Sequence, residues 1–465
     1  MTDATPPSPP PFGRPVEPAP RPPTVVPDLV SLSFYKIMLI GGLAIATIVP
    51  NLLITNLVEE RETRQGGVRQ EFTRNWGPEQ NLYSPTLVIP YQIGDRPRQY
   101  IKIAPARLEV AAVLNPQERK RGLFHATVYD ARVEMSGAFV VPAETRLRDF
   151  AADKDARFIW NEALIALGAA SNLTGLRASD HIVVDNTEQQ WTPCLEAIRH
   201  ESACRGDSLV LANAPLAPPR DGSTRVPFKS VVSLRGTGSF AVQYAGKELA
   251  AVFRSSWPSP SFTGTTLPLS SDVSSAGFEA KWEATEFGAP RIVASPVIMD
   301  ATMWKGATIA VDLIEATPIY RMITRVAKYA LLFVVLSFAT YFFFELLSRS
   351  RIHVVQYGLL GLSLSLFSLL LLSLAEPIGY TNGYLVSAGL VLTQSTLYTA
   401  AVARRFTPAL VFAAMLASLF GFLYVLLGLE TYSLLTGALA LFVVVSVLMV
   451  LTQLVRWPGR PEAAA

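Results

Sequence analysis

Few side chains of the kinds that perform catalysis lie close together in this 465-residue sequence. It contains two cysteines, Cys194 and Cys204, and four histidines, of which only His200 lies between the cysteines. No G-x-S-x-G, H-E-x-x-H or G-x-x-x-x-G-K-[ST] motif occurs, and no G-x-G-x-x-G precedes a helix. The sequence therefore predicts neither enzymatic activity nor a bound metal or cofactor.

A second set of candidates consists of polar residues within long apolar runs, where such groups are costly and often functional. They are Asn51, Asn56, Glu345, Gln356, Tyr357, Glu376 and Gln394. One interpretation is a polar pathway inside a helical bundle. The other places the carboxylates at the head-group level, paired with Arg349, Arg351 or water. We favour the second, because none of the carboxylates lies at a predicted bilayer centre. The two asparagines need partners, most simply on another helix.

The elements that must position these residues are membrane helices. Hydrophobic residues make up 50% of the chain and charged residues only 17%, against roughly a quarter in soluble proteins. Six apolar runs approach or exceed the roughly 20 residues that cross a bilayer: 37–57, 329–348, 355–375, 380–401, 407–427 and 432–454. We interpret the first as an uncleaved anchor kinked at Pro50.

The short loops predict the orientation of these six spans. Arginines occupy every second connection, at Arg349, Arg351, Arg404 and Arg405, and follow the last span. The alternate connections carry no Lys or Arg. Because basic short loops stay in the cytoplasm, both termini are expected there and residues 60–325 outside. Arg321, Arg325 and Lys328 oppose this assignment, but long exported domains cross largely regardless of charge.

Residues 80–318 show the two-residue alternation of β-strands, clearest from Tyr129 to Phe139 and from Phe278 to Ala284. We expect a sandwich-like domain, all-β or α+β, with a helix or two near 151–168. Residues 236–239 are interpreted as a hairpin turn. Residues 257–264 are either a binding edge or a rigid corner, and Pro258 and Pro260 favour the corner.

The predicted fold class is a bundle of six transmembrane helices with this large domain inserted between helices 1 and 2. A charged helix should follow the anchor, weakened at 66–67 and ending at 76–78. The predicted segments are a proline-rich disordered tail (1–33), the anchor (34–58), the periplasmic domain (59–325), the remaining five helices (326–455) and a cytoplasmic tail (456–465). In an oxidising periplasm Cys194 and Cys204 are candidates for a disulfide, with free thiols or a metal site as alternatives. A net charge of +3 argues against nucleic acid.

Several short motifs occur along the chain. In the C-terminal part they include Phe342-Phe343-Phe344-Glu345 and Arg351-Ile352-His353 followed by Gln356-Tyr357. In the outer domain they include Trp76-Gly77, Arg121-Gly122, Tyr129, Trp257-Pro258, Phe262, Gly264 and Trp282. These motifs resemble the CreD family of inner-membrane proteins, and the resemblance covers nearly all of residues 35–458. Two positions depart from the family pattern: Ala375-Glu376-Pro377 replaces Ser-Glu-His, and Thr431 replaces an acidic residue.

The resemblance implies a protein of the Gram-negative inner membrane with a role in envelope integrity or the envelope stress response, including behaviour toward colicins or β-lactams. It implies no known reaction. Three hypotheses follow: a membrane-anchored module that binds a periplasmic or cell-wall component, a transporter- or channel-like subunit, and an enzyme built from scattered residues. We favour the first, because it requires only a large folded domain tethered to the lipid bilayer.

Overall fold

A computed structural model provides the coordinates described below. It describes residues 29–122, 124–194, 209–219, 222–285, 292–298, 307–313, 319–348, 353–403 and 406–428, with isolated residues from 435 to 450. Residues 1–28 of the predicted tail (1–33), the predicted tail at 456–465, most of the span at 432–454, and Cys204 lie outside these residues, whereas residues 29–33 belong to α1. The chain divides into two compact units, one formed by 1–54, 325–371 and 384–465 and the other by 55–324 and 372–383.

Seven helices occur in the described residues. They are α1 (Leu29–Ala46), α2 (Ile48–Trp76), α3 (Glu144–Ala151), α4 (Ile319–Ser348), α5 (Val354–Ile378), α6 (Tyr380–Ala403) and α7 (Phe406–Gly428).

Four helical stretches of the described chain are long and apolar enough to cross a membrane: Tyr35–Trp76, Val354–Ile378, Tyr380–Val402 and Ala409–Gly428. In α4 the apolar stretch found is shorter, Tyr329–Ala339. The prediction of several apolar spans together with a strand-rich domain is confirmed, whereas the count of six stays a prediction.

The N-terminal helix is interrupted at Thr47, not at Pro50. Proline lacks the N–H that would bond to the carbonyl of residue 46, so the break appears one turn before it. The Thr47 hydroxyl donates to the Ala44 carbonyl at 2.6 Å. Beyond the break, α2 continues through Gly66-Gly67 to Trp76, so the expected weakening does not end the helix.

Nineteen strands are described. They are β1 (Gln80–Tyr83), β2 (Thr86–Gln92), β3 (Gln99–Ile103), β4 (Arg107–Arg121), β5 (Phe124–Val141), β6 (Arg157–Phe158), β7 (Leu164–Gly168), β8 (His181–Val184), β9 (Thr187–Gln190), β10 (Thr192–Pro193), β11 (Leu209–Asn213), β12 (Thr224–Thr237), β13 (Ser239–Gln243), β14 (Glu248–Ser255), β15 (Pro260–Gly264), β16 (Ser270–Ser274), β17 (Gly277–Thr285), β18 (Ile292–Ser295) and β19 (Thr308–Leu313).

These strands form three sheets in the second unit. The eight-stranded sheet has the order β16-β17-β14-β4-β5-β12-β8-β9, and the four-stranded sheet has the order β1-β13-β19-β15. The seven-stranded sheet follows the order β10-β11-β7-β2-β3-β18, and β6 pairs with β2. Only β1–β13 and β4–β14 pair in parallel among the described pairs. One hydrophobic core draws side chains from all three sheets, which suits the sandwich-like architecture expected from the alternation.

The alternation itself predicted the core-facing side chains. In β5, Tyr129, Val133, Met135 and Phe139 are all fully buried. The helix expected at 151–168 instead lies earlier, as α3, and residues 160–162 form a single 3-10 turn. The apolar run Leu164–Gly168 is strand β7. Both of its faces are buried, so its sequence lacks the alternation that identifies a half-exposed strand.

The segment 236–239 was wrongly predicted to be a hairpin turn. β12 belongs to the eight-stranded sheet and β13 to the four-stranded sheet, so the chain changes sheets there. Gly238 has φ +75°, and a Cβ on Gly236 would lie 2.3 Å from the Tyr129 hydroxyl. The glycines allow the chain to turn against a buried tyrosine.

Substituting Gly236→Ala should lower the free energy of unfolding by more than about 2 kcal/mol, since Tyr129 is fully buried and cannot move aside. Gly94→Ala is the control: Gly94 has φ +52°, which alanine rarely adopts, but open space surrounds it, so about 1 kcal/mol is expected. Thermal unfolding of the purified protein, followed by tryptophan fluorescence, measures both. Equal losses in the two variants would contradict the packing at this corner.

Candidate functional site

Trp76 ends α2 at a junction with the strand domain. Its indole lies between two guanidinium groups, with the Arg119 Cζ 5.0 Å and the Arg235 Cζ 4.9 Å from the ring centroid. The indole N–H donates to the Tyr129 carbonyl at 3.2 Å. One turn earlier, Glu71 forms an ion pair with Arg121. Two stacked cations and a hydrogen bond together hold the end of this helix on β4, β5 and β12.

Gly77 allows the chain to leave the helix directly into the strand domain. It has φ +145°, and a Cβ there would lie 2.3 Å from Thr174 Oγ1 and 2.5 Å from the Arg235 carbonyl oxygen. The Thr237 hydroxyl donates to the Gly77 carbonyl at 2.8 Å. Backbone contacts of this kind leave room for no other residue type at position 77.

Tyr129 is the buried centre of the same region. Its hydroxyl donates to the Ser239 carbonyl at 2.6 Å, and burial raises the pKa of the phenol above its ordinary value. Gly122, with φ +62°, provides the turn between β4 and β5. The predicted residues Arg121, Gly122 and Tyr129 therefore contribute to the junction and to the hairpin that contacts α2.

The predicted group from Trp257 to Gly264, together with Trp282, lies at a second crossing between sheets. Residues 256–259, including Pro258, connect β14 of the eight-stranded sheet to β15 of the four-stranded sheet. The Phe262 ring meets Trp282 edge-on with centroids 5.8 Å apart. A Cβ on Gly264 would lie 2.3 Å from the Thr308 carbonyl oxygen. These contacts favour the corner over the binding edge.

Glu345 is the first of two carboxylates that connect three helices. It forms an ion pair with Lys36 of α1 and accepts a hydrogen bond from the Tyr357 hydroxyl of α5 at 3.0 Å. The Glu345 and Lys36 side chains are 13% and 24% exposed. We call these three residues the Glu345 site.

Glu376 is the second such carboxylate. Arg61 of α2 lies 3.5 Å from one of its oxygens, and the Tyr320 hydroxyl of α4 donates to the other at 2.9 Å. The Glu376 side chain is only 8% exposed. We call these residues the Glu376 site. Each carboxylate thus receives a cation from the N-terminal helices and a tyrosine hydroxyl from α4 or α5.

The sequence did not identify these partners. The carboxylates were expected to pair with Arg349, Arg351 or water, and both arginines lie outside the described residues. Lys36, Arg61 and Tyr320 were not among the predicted residues. Lys36 could have been predicted to pair with a carboxylate, because it is the single lysine directly before the apolar run 37–57. Lys36 and Glu345 lie 309 residues apart, so no local pattern could join them.

Gln356 and His353 cap α5. The Gln356 side-chain oxygen accepts from the His353 backbone N–H at 3.0 Å, and His353 Nδ1 accepts from the Val355 N–H at 3.3 Å. The arrangement is of the capping-box type: at the start of the helix, the side chains of His353 and Gln356 each accept from a backbone N–H that has no partner within the helix. Gln356 therefore starts the helix instead of lining a pathway.

The amide candidates have separate surroundings. The Asn51 amide donates to the Thr47 carbonyl of its own helical segment at 3.1 Å, and Asn56 is exposed. The Ser363 hydroxyl of α5 donates to the Gln394 side-chain oxygen of α6 at 3.2 Å, so Gln394 contributes to helix packing. Of the polar candidates, the structure brings Glu345 and Tyr357 together, whereas Asn51 and Gln394 have the separate contacts described above.

Cys194 is buried and disulfide-bonded. Its expected partner Cys204 lies outside the described residues, so the pairing stays a prediction. Among the described residues no group of three or more His, Cys, Asp or Glu side chains is placed to hold a metal ion.

Comparison with known proteins places these features in a family. A family model described as "Inner membrane protein CreD" matches residues 32–458 of the chain. The chain belongs to the CreD family. An Escherichia coli (strain K12) protein described as inner membrane protein CreD is 27% identical to it over 442 residues, which cover 92% of this chain and 94% of that protein.

The family match confirms an inner-membrane protein with apolar helices, as the motifs predicted. At one departure from the family pattern, Ala375-Glu376-Pro377, the glutamate is present and forms the Glu376 site. Pro377 lies in the last turn of α5, and Gly379, with φ +82°, is the single residue before α6. The CreD motif at 351–357 likewise includes the capping box and Tyr357 of the Glu345 site.

The Glu345 site predicts a measurable coupling between α1 and α4. Lys36→Met should cost about 1–3 kcal/mol, because it leaves a partly buried carboxylate without its cation. Glu345→Gln, which can still accept from Tyr357, should cost a similar amount. The double variant should cost clearly less than the sum of the two, as expected for residues in contact. Thermal unfolding in lipid nanodiscs measures the cycle, and additive losses would contradict the pairing.

Proposed function

We propose that this CreD-family protein is a non-catalytic module of cell-envelope maintenance. In this proposal the chain crosses the inner membrane six times, both termini are cytoplasmic, and the strand domain lies in the periplasm. There the domain binds a periplasmic or cell-wall component, and the helices anchor it to the lipid bilayer.

The observation that carries this proposal is the course of α2. Its first eleven residues, Ile48–Val58, are mostly apolar, whereas charged side chains begin at Glu59 and continue to the helix end. Trp76 then joins the helix to three strands of the domain. The single helix α2 thus contains both membrane-compatible sequence and the charged segment that Trp76 joins to the strands, which suits a membrane-anchored binding module.

The charge distribution supports the orientation. Four arginines occupy two short loops, at Arg349, Arg351, Arg404 and Arg405, and basic short loops face the cytoplasm. The Gly379 connection between α5 and α6 contains no cation. Its neighbour Glu376 pairs with Arg61 near the start of the charged part of α2. This arrangement suits a non-cytoplasmic position for both segments.

Transport is not proposed as a second function. It would have been favoured by Asn51 and Asn56 packed against Gln356 or Gln394. Within the described part of the chain, Asn51 bonds to its own helical segment, Asn56 is exposed, and Gln356 caps α5. The hydrogen bond between Ser363 and Gln394 joins the neighbouring helices α5 and α6.

The test uses a strain that lacks the gene, complemented with variants at the junction. Trp76→Ala removes both cation–π contacts, worth about 0.5–2 kcal/mol each, and the hydrogen bond to Tyr129. We expect it to insert normally into the membrane but to fail to restore tolerance of β-lactams or colicins. Trp76→Phe keeps a ring between the two arginines and should largely restore tolerance. Membrane-fraction immunoblots check the protein level of both variants.

Full tolerance in cells with Trp76→Ala, at a normal protein level and with a lowered melting temperature, would contradict the proposal. It would show that the envelope role does not depend on holding the domain to α2.

A further inference from the structure

A cleft of about 230 Å³ opens at one end of the sandwich, away from the α2 junction residues. Its floor consists of buried side chains from several elements: Val141, Trp160, Val184, Ala214 and Val226. It lies where the inner face of the eight-stranded sheet ends and the segment after β11 begins.

Polar residues occupy inward-facing strand positions at this cleft. Thr224 pairs with the buried Val141, and Thr187 pairs with the buried Val184. Gln189 lies two residues after Thr187, on the same face of β9. Thr187 and Thr224 are exposed and Gln189 is half-buried, so all three polar side chains are accessible from the cleft.

The segment after β11 forms the opposite wall. Residues 214–219 contain Pro215, Pro218 and Pro219, whose rings fix φ at these positions. The Ala214 N–H donates to the Ala163 carbonyl at 2.9 Å, and the Leu216 N–H donates to the Trp160 carbonyl at 3.0 Å. These backbone hydrogen bonds attach the wall to the segment that contains Trp160.

The side chains around the opening favour an uncharged ligand. Thr187, Gln189, Asn213 and Thr224 supply hydroxyl and amide groups that both donate and accept hydrogen bonds. Among the described residues of the lining, one anion and one cation occur, Asp185 and Arg225. Thr187 and Gln189 lie on β9, the last strand of the eight-stranded sheet, so part of the polar lining belongs to the border of that sheet.

A sugar ring matches this combination of an apolar floor and neutral polar groups. The cleft is smaller than the roughly 300–1,000 Å³ of sites for drug-sized ligands, so it suits one ring. We propose that this cleft binds a single sugar unit of an uncharged envelope glycan, with the apolar face of the ring on the floor. The inference rests on the proposed function, since it makes this glycan the envelope component that the domain binds.

The experiment uses the full chain in lipid nanodiscs, because detergents with sugar head groups would compete. The probe is tri-N-acetylchitotriose, titrated by calorimetry. We expect saturable binding that Asn213→Ala and Gln189→Ala each weaken about fivefold, the loss of one hydrogen bond of roughly 1 kcal/mol. Gln117→Ala, an exposed glutamine on β4 outside the cleft, is the matched control and should bind like the unaltered chain.

Absence of saturable binding to this probe and to maltotriose, a second neutral glycan, would overturn the inference. Binding that Asn213→Ala and Gln189→Ala leave unchanged would also overturn it, since the sugar would then lie elsewhere. Either result leaves the proposed function standing, because calorimetry reports neither the location of the domain nor the envelope phenotype.

Discussion

The cost of placing an unpaired charge in a low-dielectric environment governs the helical part of this protein. Charged residues are therefore absent from the apolar part of α2 and begin only at Glu59. The same cost also explains why Glu345 and Glu376 each have both a cation and a tyrosine hydroxyl. A carboxylate at such a position is tolerated when its oxygens are satisfied and its charge is balanced.

The two carboxylate sites contain the same kinds of group, a carboxylate, a cation and a tyrosine hydroxyl, but their carboxylates lie on different helices. Glu345 on α4 accepts from a tyrosine of α5, and Glu376 on α5 accepts from a tyrosine of α4. In both sites the cation comes from the N-terminal helices, far away in sequence.

Local sequence patterns predicted much of this structure. Alternation identified the core face of β5, and the start of charge at Glu59 marked the end of the apolar run. The failures have physical causes. The partners of Glu345 and Glu376 depend on contacts that no periodicity encodes, and β7 lacks alternation because both of its faces are buried. At Gly236, a turn between two sheets uses the same residue types as a hairpin. Several residues that carry the family resemblance form chain corners, a helix cap and ring contacts, which are structural roles.

The location of the strand domain is the central claim, and cysteine labelling in whole cells tests it most directly. Asp95→Cys places a thiol on an exposed turn between β2 and β3. Thr407→Cys places one on an exposed residue at the start of α7, beside the arginines 404–405 that predict a cytoplasmic position. With the outer membrane permeabilised, a maleimide that cannot cross the inner membrane should label the Asp95→Cys variant at once. The Thr407→Cys variant should be labelled only after lysis. The reverse pattern would place the domain in the cytoplasm and contradict both the topology and the proposed envelope role.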